Sequence, residues 1–95
     1  MPLPPRIVLH TPVVDERSLE PFIEECLRDG VRLIAVVGEG ADALEEEIDW
    51  IVVGDGTDEN RFLVTSSHPD ESLEDVLEFA SAWRCDRDGL LEVHL

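Results

Sequence analysis

Apolar residues at Leu19, Phe22, Ile23, Cys26 and Leu27 recur at alternating intervals of three and one, while Glu20, Glu24, Glu25 and Asp29 fill the positions between them. That spacing gives a helix one apolar stripe and one acidic face, with Ser18 as its N-cap and Gly30 as its C-terminal stop. Ahead of the helix, Arg6-Ile7-Val8-Leu9-His10 is an apolar run closed by Thr11-Pro12, which predicts a strand that ends before the proline. Behind it, Leu33-Ile34-Ala35-Val36-Val37 shows no alternation, the pattern of a strand covered on both faces and hence of parallel pairing.

Ala41 to Ile48 predicts a short helix leading into Trp50-Ile51-Val52-Val53, whose β-branched residues predict a third strand. Gly54 to Asn60 reads as a tight acidic loop, so a fourth strand at Arg61-Phe62-Leu63-Val64-Thr65 is expected to return antiparallel to the third as a hairpin. A third helix is expected from about Glu71 to Arg84, capped by Ser72 with Asp75 three residues on and burying Leu73, Val76, Leu77, Ala80 and Trp83. Leu91, Val93 and Leu95 alternate with polar residues in a last strand expected at a sheet edge. The expectation is therefore a single α/β domain over 1–95, with an extended arm at 1–5, a mixed five-stranded sheet in the order βαβαββαβ, and three helices.

Composition sharpens this picture chiefly through charge. There are 23 Asp and Glu against 7 basic residues, all arginine, for a formal net charge of −16 in 95 residues. Such a surface repels phosphate backbones and anionic lipid heads, which excludes nucleic-acid and membrane partners and leaves three readings: a solubilising surface, adaptation to high salt, or complementarity to a basic protein. The hydrophobic share of 43% suffices for a core. The start Met1-Pro2-Leu3-Pro4-Pro5 lacks the features of a signal peptide, no apolar run reaches the ~18 residues of a membrane span, and the chain is expected to be cytoplasmic. Cys26 and Cys85 are accordingly expected as buried, reduced thiols.

Three segments invite chemical readings. Gly38-Glu39-Gly40-Ala41-Asp42-Ala43 spells a dinucleotide fingerprint, but Glu39 and Asp42 place negative charge where a pyrophosphate would sit, so a tight turn and no cofactor are expected. Gly54 to Asn60 is rich in oxygen ligands, yet from Asp55 its order departs from a calcium loop, so no metal site is expected there. Thr65-Ser66-Ser67-His68-Pro69-Asp70 holds the densest set of reactive side chains, and His68, Ser66, Ser67 and Asp70 are the weak catalytic candidates. Serine next to histidine in sequence is not a nucleophile and base, since such pairs meet in space, and the serines and Asp70 also serve as helix caps. The expected hairpin would put His68 and His10 at opposite ends of the sheet.

The segment Phe62 to Glu74, and more loosely Trp50 to Trp83, resembles a group of small acidic bacterial proteins of unknown function. That resemblance implies a bacterial cytosolic α/β domain and assigns no residue a role. On the residues themselves, a non-enzymatic interaction or regulatory module is expected, presenting Glu71, Glu74, Asp75 and Glu78 to a basic partner. The alternatives are an antitoxin or immunity-type inhibitor of a basic enzyme, a small enzyme or ligand-binding protein with its site around His68, and a homodimer formed through the last strand.

Overall fold

The computed structural model describes residues 2–54, 56–57 and 61–95. Strand β1 (Arg6–His10) leads through a 3-10 turn at Glu16–Ser18 into helix α1 (Leu19–Asp29), then β2 (Leu33–Val37), α2 (Ala41–Val53), β3 (Val64–His68), α3 (Leu73–Ala82) and β4 (Leu90–His94). The sheet has four strands in the order β3-β2-β1-β4, and every pairing is parallel.

Two expectations are corrected here, and they share one cause. Trp50-Ile51-Val52-Val53 is the last turn of α2, so the sheet has four strands rather than five and is parallel rather than mixed. Ala41, Leu44, Ile48 and Val52 are the buried residues of that helix, a stripe at intervals of three and four that continues through the β-branched run. Packing of this stripe on the sheet outweighs the strand propensity of Ile51, Val52 and Val53. With no strand there, no hairpin forms, and the chain reaches β3 parallel to β2, three residues later than expected. The third helix is shorter than expected, at Leu73–Ala82.

The direction of chain winding sets the two layers. From β1 the chain moves outward through β2 to β3, then α3 carries it back across the sheet to β4 on the other side of β1. Right-handed crossovers in opposite directions cover opposite faces. Ile7, Leu9, Ile34 and Val36 pack with Leu19, Ile23 and Cys26 of α1 and with Leu44, Ile48 and Val52 of α2. Val8, Leu33, Ala35 and Val37 turn the other way, toward Val76 and Ala80 of α3. Both faces of β1 and β2 are thereby buried, as their unbroken apolar sequence requires. β4 lies at a sheet edge with Leu91 41% exposed.

Arginines close the helix C-termini, where the last carbonyls of a helix lack partners within it. Arg87 Nη2 donates to the carbonyls of Asp29 and Gly30 at the end of α1. Arg61 donates to those of Ile51 and Val52 at the end of α2. Arg6, only 8% exposed, donates to Trp83 O just past α3 and to the carbonyls of Arg87 and Gly89. Acidic residues stand in the first turns: Glu20, Asp42, Glu74 and Asp75. These three arginines are thus spent on the frame. Ser18 precedes α1 but makes no side-chain cap; its hydroxyl donates to Asp15 O instead. Ser72 caps α3 as expected, accepting from Asp75 N at 3.1 Å.

Candidate functional site

In a parallel sheet all strands end at the same edge, and this brings together side chains that the expected hairpin would have separated. His94, His10, Val37 and His68 stand level across the four strands. His10 and His68 therefore share the C-terminal edge, which corrects the expectation of opposite ends, but β2 lies between them and holds them about 10 Å apart. The strand order reverses between β1 and β4, where open α/β sheets form their ligand crevices. There the rings of His10 and His94 stack with centroids 4.0 Å apart, and His10 Nε2 lies 3.0 Å from Glu92 Oε1. Among the described residues no group of three or more histidine, cysteine or acidic side chains is placed to hold a metal ion.

β3 is polar on both faces, and each polar group has a reason. Thr65 Oγ1 donates to Asp49 Oδ1 at 2.6 Å and Ser67 Oγ donates to Asp42 Oδ1, so this face is bonded to α2. The opposite face carries Ser66 and His68. Ser66 Oγ lies 2.9 Å from His68 Nε2, and His68 Nδ1 lies 2.9 Å from Glu71 Oε2. A carboxylate only accepts hydrogen bonds, so Nδ1 carries a proton; in the neutral imidazole Nε2 is then the acceptor and the Ser66 hydroxyl donates to it. His68 is 7% exposed, and its ring centroid lies 5.0 Å from that of Phe79 of α3. Serine, histidine and carboxylate thus stand in the order of an acyl-transfer relay.

Of the expected candidates, Ser66 and His68 meet directly, Ser67 belongs to the α2 contact, and Asp70 is exposed in the turn before α3. Glu71, expected only as part of an acidic patch, is the partner of His68. The i, i+3 spacing of His68 and Glu71 was a usable signal; the pairing of Ser66 with His68 needed β3 to extend that far, since alternate strand residues share a face. Glu74, Asp75 and Glu78 lie exposed along α3.

The second feature is a trough between α1 and α2. A cleft of about 390 Å³ is lined by Glu16, Leu19, Glu20, Glu24, Glu47, Trp50, Ile51 and Gly54. It shares Glu16, Leu19 and Glu47 with a cleft of about 260 Å³ that runs on to Pro12, Glu39 and Gly40. Trp50, 69% exposed, forms an apolar lip of the trough on α2, and its other side lines a separate cleft with Glu46, Asp49 and Val53. Glu24 is bound to Arg61, whose guanidinium holds its carboxyl below the ordinary value of 4.5. Glu45 on α2 is shifted upward, by burial first and then by repulsion from Asp49 and Asp42. Neither this trough nor its aromatic lip was expected, because Trp50 was read into a strand.

The remaining motifs serve the frame. Gly38 and Gly40 take positive φ angles of 114° and 82°, as a tight turn needs, and a side chain at Gly38 would overlap Thr11. The oxygen-rich loop from Gly54 to Asn60 falls largely outside the described residues. Cys26 is buried, and burial pushes its thiol up to about 12. Cys85 is only partly buried, which corrects the expectation of two buried thiols. Among the described residues no helix is long and apolar enough to cross a membrane.

Residues 2–92 match the family described as a domain of unknown function (DUF7684), and the chain belongs to that family. No curated protein and no solved structure matches the chain.

Proposed function

We propose that this DUF7684 protein is an interaction module that takes a basic, amphipathic segment of a partner protein into the trough between α1 and α2. The observation that carries this reading is the pairing of the acidic walls, Glu16, Glu20 and Glu47, with the exposed indole of Trp50 in the same trough. Water solvates an acidic wall well and an exposed indole poorly, so the combination favours a ligand with both cationic and apolar groups. A net charge of −16 steers such a ligand inward.

The finer reading is a cytoplasmic bacterial protein that inhibits or regulates a basic enzyme, in the manner of an antitoxin or immunity protein. It is supported by the acidity, by the unpaired cysteines and by the resemblance of the Phe62 to Glu74 segment to small bacterial proteins. The acidic residues Glu71, just before α3, and Glu74, Asp75 and Glu78 along it form a second surface for the same partner. The edge of β4, with Leu91 exposed, would serve a homodimer.

Binding of a model helix of alternating arginine and leucine faces, followed by Trp50 fluorescence, tests the proposal. The double reversal Glu20→Arg and Glu47→Arg is expected to weaken binding by tenfold or more and to flatten its salt dependence. The charge-matched pair Glu74→Arg and Glu78→Arg is expected to leave most of the affinity. Equal loss in both variants would reduce the interaction to net charge, and loss in the second alone would move the surface to α3.

A further inference from the structure

We infer that Ser66 is a nucleophile, activated by His68 and positioned through Glu71, that accepts an acyl group from small activated esters. This site lies on the sheet face covered by α3, opposite the α1 and α2 trough, and the inference does not rest on the binding reading.

The geometry supplies the nucleophile, the base and the carboxylate that orients the base. Glu71 accepts from Nδ1 and fixes the tautomer; Nε2, 2.9 Å from Ser66 Oγ, is left as the base. Attack of Ser66 Oγ on an ester carbonyl forms the new C–O bond as the Oγ proton passes to His68 Nε2. Collapse breaks the bond to the alcohol or phenol, which leaves with that proton, and His68 returns to neutral with Ser66 acylated. Water attacking by the same route, with Nε2 taking its proton and returning it to Oγ, releases the carboxylic acid. No other reactant is needed.

Two further observations favour an esterified or aryl substrate. Ser66 is partly exposed on β3, a sheet edge, so a small molecule reaches it from the side without entering a closed cavity. Phe79, 39% exposed and 5.0 Å from the His68 ring, gives an apolar wall beside the base.

The experiment is to treat the intact protein with a fluorophosphonate and, separately, with 4-nitrophenyl acetate, and to locate the label by peptide mass spectrometry. The chain has no lysine, which removes the usual amine background. Label is expected on Ser66 and lost in Ser66→Ala. Glu71→Gln is expected to slow labelling at least about tenfold, because Nδ1 loses the acceptor that orients the ring toward Ser66, and Glu71→Asp to restore part of that rate. Melting curves of the variants check that they fold. Absence of label on Ser66 in the folded protein overturns the inference, as does a Glu71→Gln variant with an unchanged labelling rate.

Discussion

Arg61 grips Glu24 with two parallel hydrogen bonds, Nη1 to Oε1 and Nη2 to Oε2, each 2.8 Å, while the same guanidinium takes the carbonyls of Ile51 and Val52. One side chain therefore ties α1 to the C-terminus of α2, where Gly54 ends the helix. Removing it leaves those carbonyls and a carboxylate without their donor. Arg61→Ala is expected to cost about 2 kcal/mol in chemical denaturation, and Arg61→Lys to recover less than half, since an ammonium cannot reproduce the fork.

The same pair gives stability a pH dependence. Arg61, through its hydrogen bond and its charge, holds Glu24 below the ordinary 4.5, so the folded state binds that proton more weakly than the unfolded chain. The contribution is complete above 4.5 and disappears as pH falls through the lower folded value. Melting temperatures of the native protein and Glu24→Gln should therefore converge in acid and separate above pH 5, the native protein being the more stable.

Glu45 works in the opposite sense. Burial and the neighbouring Asp49 and Asp42 raise its pKa, so its ionised form opposes folding, a cost present in full above the folded value and gone below 4.5. Glu45→Gln is expected to raise the melting temperature at pH 7, by an amount corresponding to less than about 1 kcal/mol, and to change nothing at pH 3.5. A lower melting temperature at pH 7 would refute this.

The two thiols should separate cleanly. Cys26, buried in the α1 stripe with its thiol pushed up to about 12, is inert at neutral pH, whereas Cys85 is partly exposed. Iodoacetamide on the native protein is expected to modify Cys85 alone, with Cys26 reacting only after denaturation. Modification of Cys26 at a comparable rate would mean that α1 opens far more readily than its packing implies.

Gly38 tests the fit between the strand ends. Its φ of 114° and the approach of Thr11 both oppose a Cβ, while Gly40, at φ 82°, has open space. Gly38→Ala is expected to cost about 2 kcal/mol or more and Gly40→Ala clearly less, read by urea denaturation.

Much of this fold was legible because local spacing and burial agreed. The stripe from Leu19 to Leu27 and the unbroken run from Leu33 to Val37 can each be buried in only one way, and the structure places both as the pattern predicts. Trp50 to Val53 was the point of ambiguity: a four-residue apolar run suits a strand or a helix end, and only the continuation of the Ala41, Leu44 and Ile48 stripe distinguishes them. β3 was displaced for a related reason. Ser66, Ser67 and His68 are poor strand residues in isolation, and their place in the sheet depends on Asp42, Asp49 and Glu71, which belong to other elements.

By itself, the sequence determined that the chain is acidic and folds as a small α/β domain with β1 and β2 buried on both faces, because composition and hydrophobic period are properties of the chain alone. Tertiary structure decided that all strands run one way, that His68 stands between Ser66 and Glu71, and that Trp50 lies beside a trough of glutamates. Those relationships depend on the direction in which β3 returns. That direction is set by how far α2 packs along the sheet, a free energy summed over many contacts that no short window of residues contains.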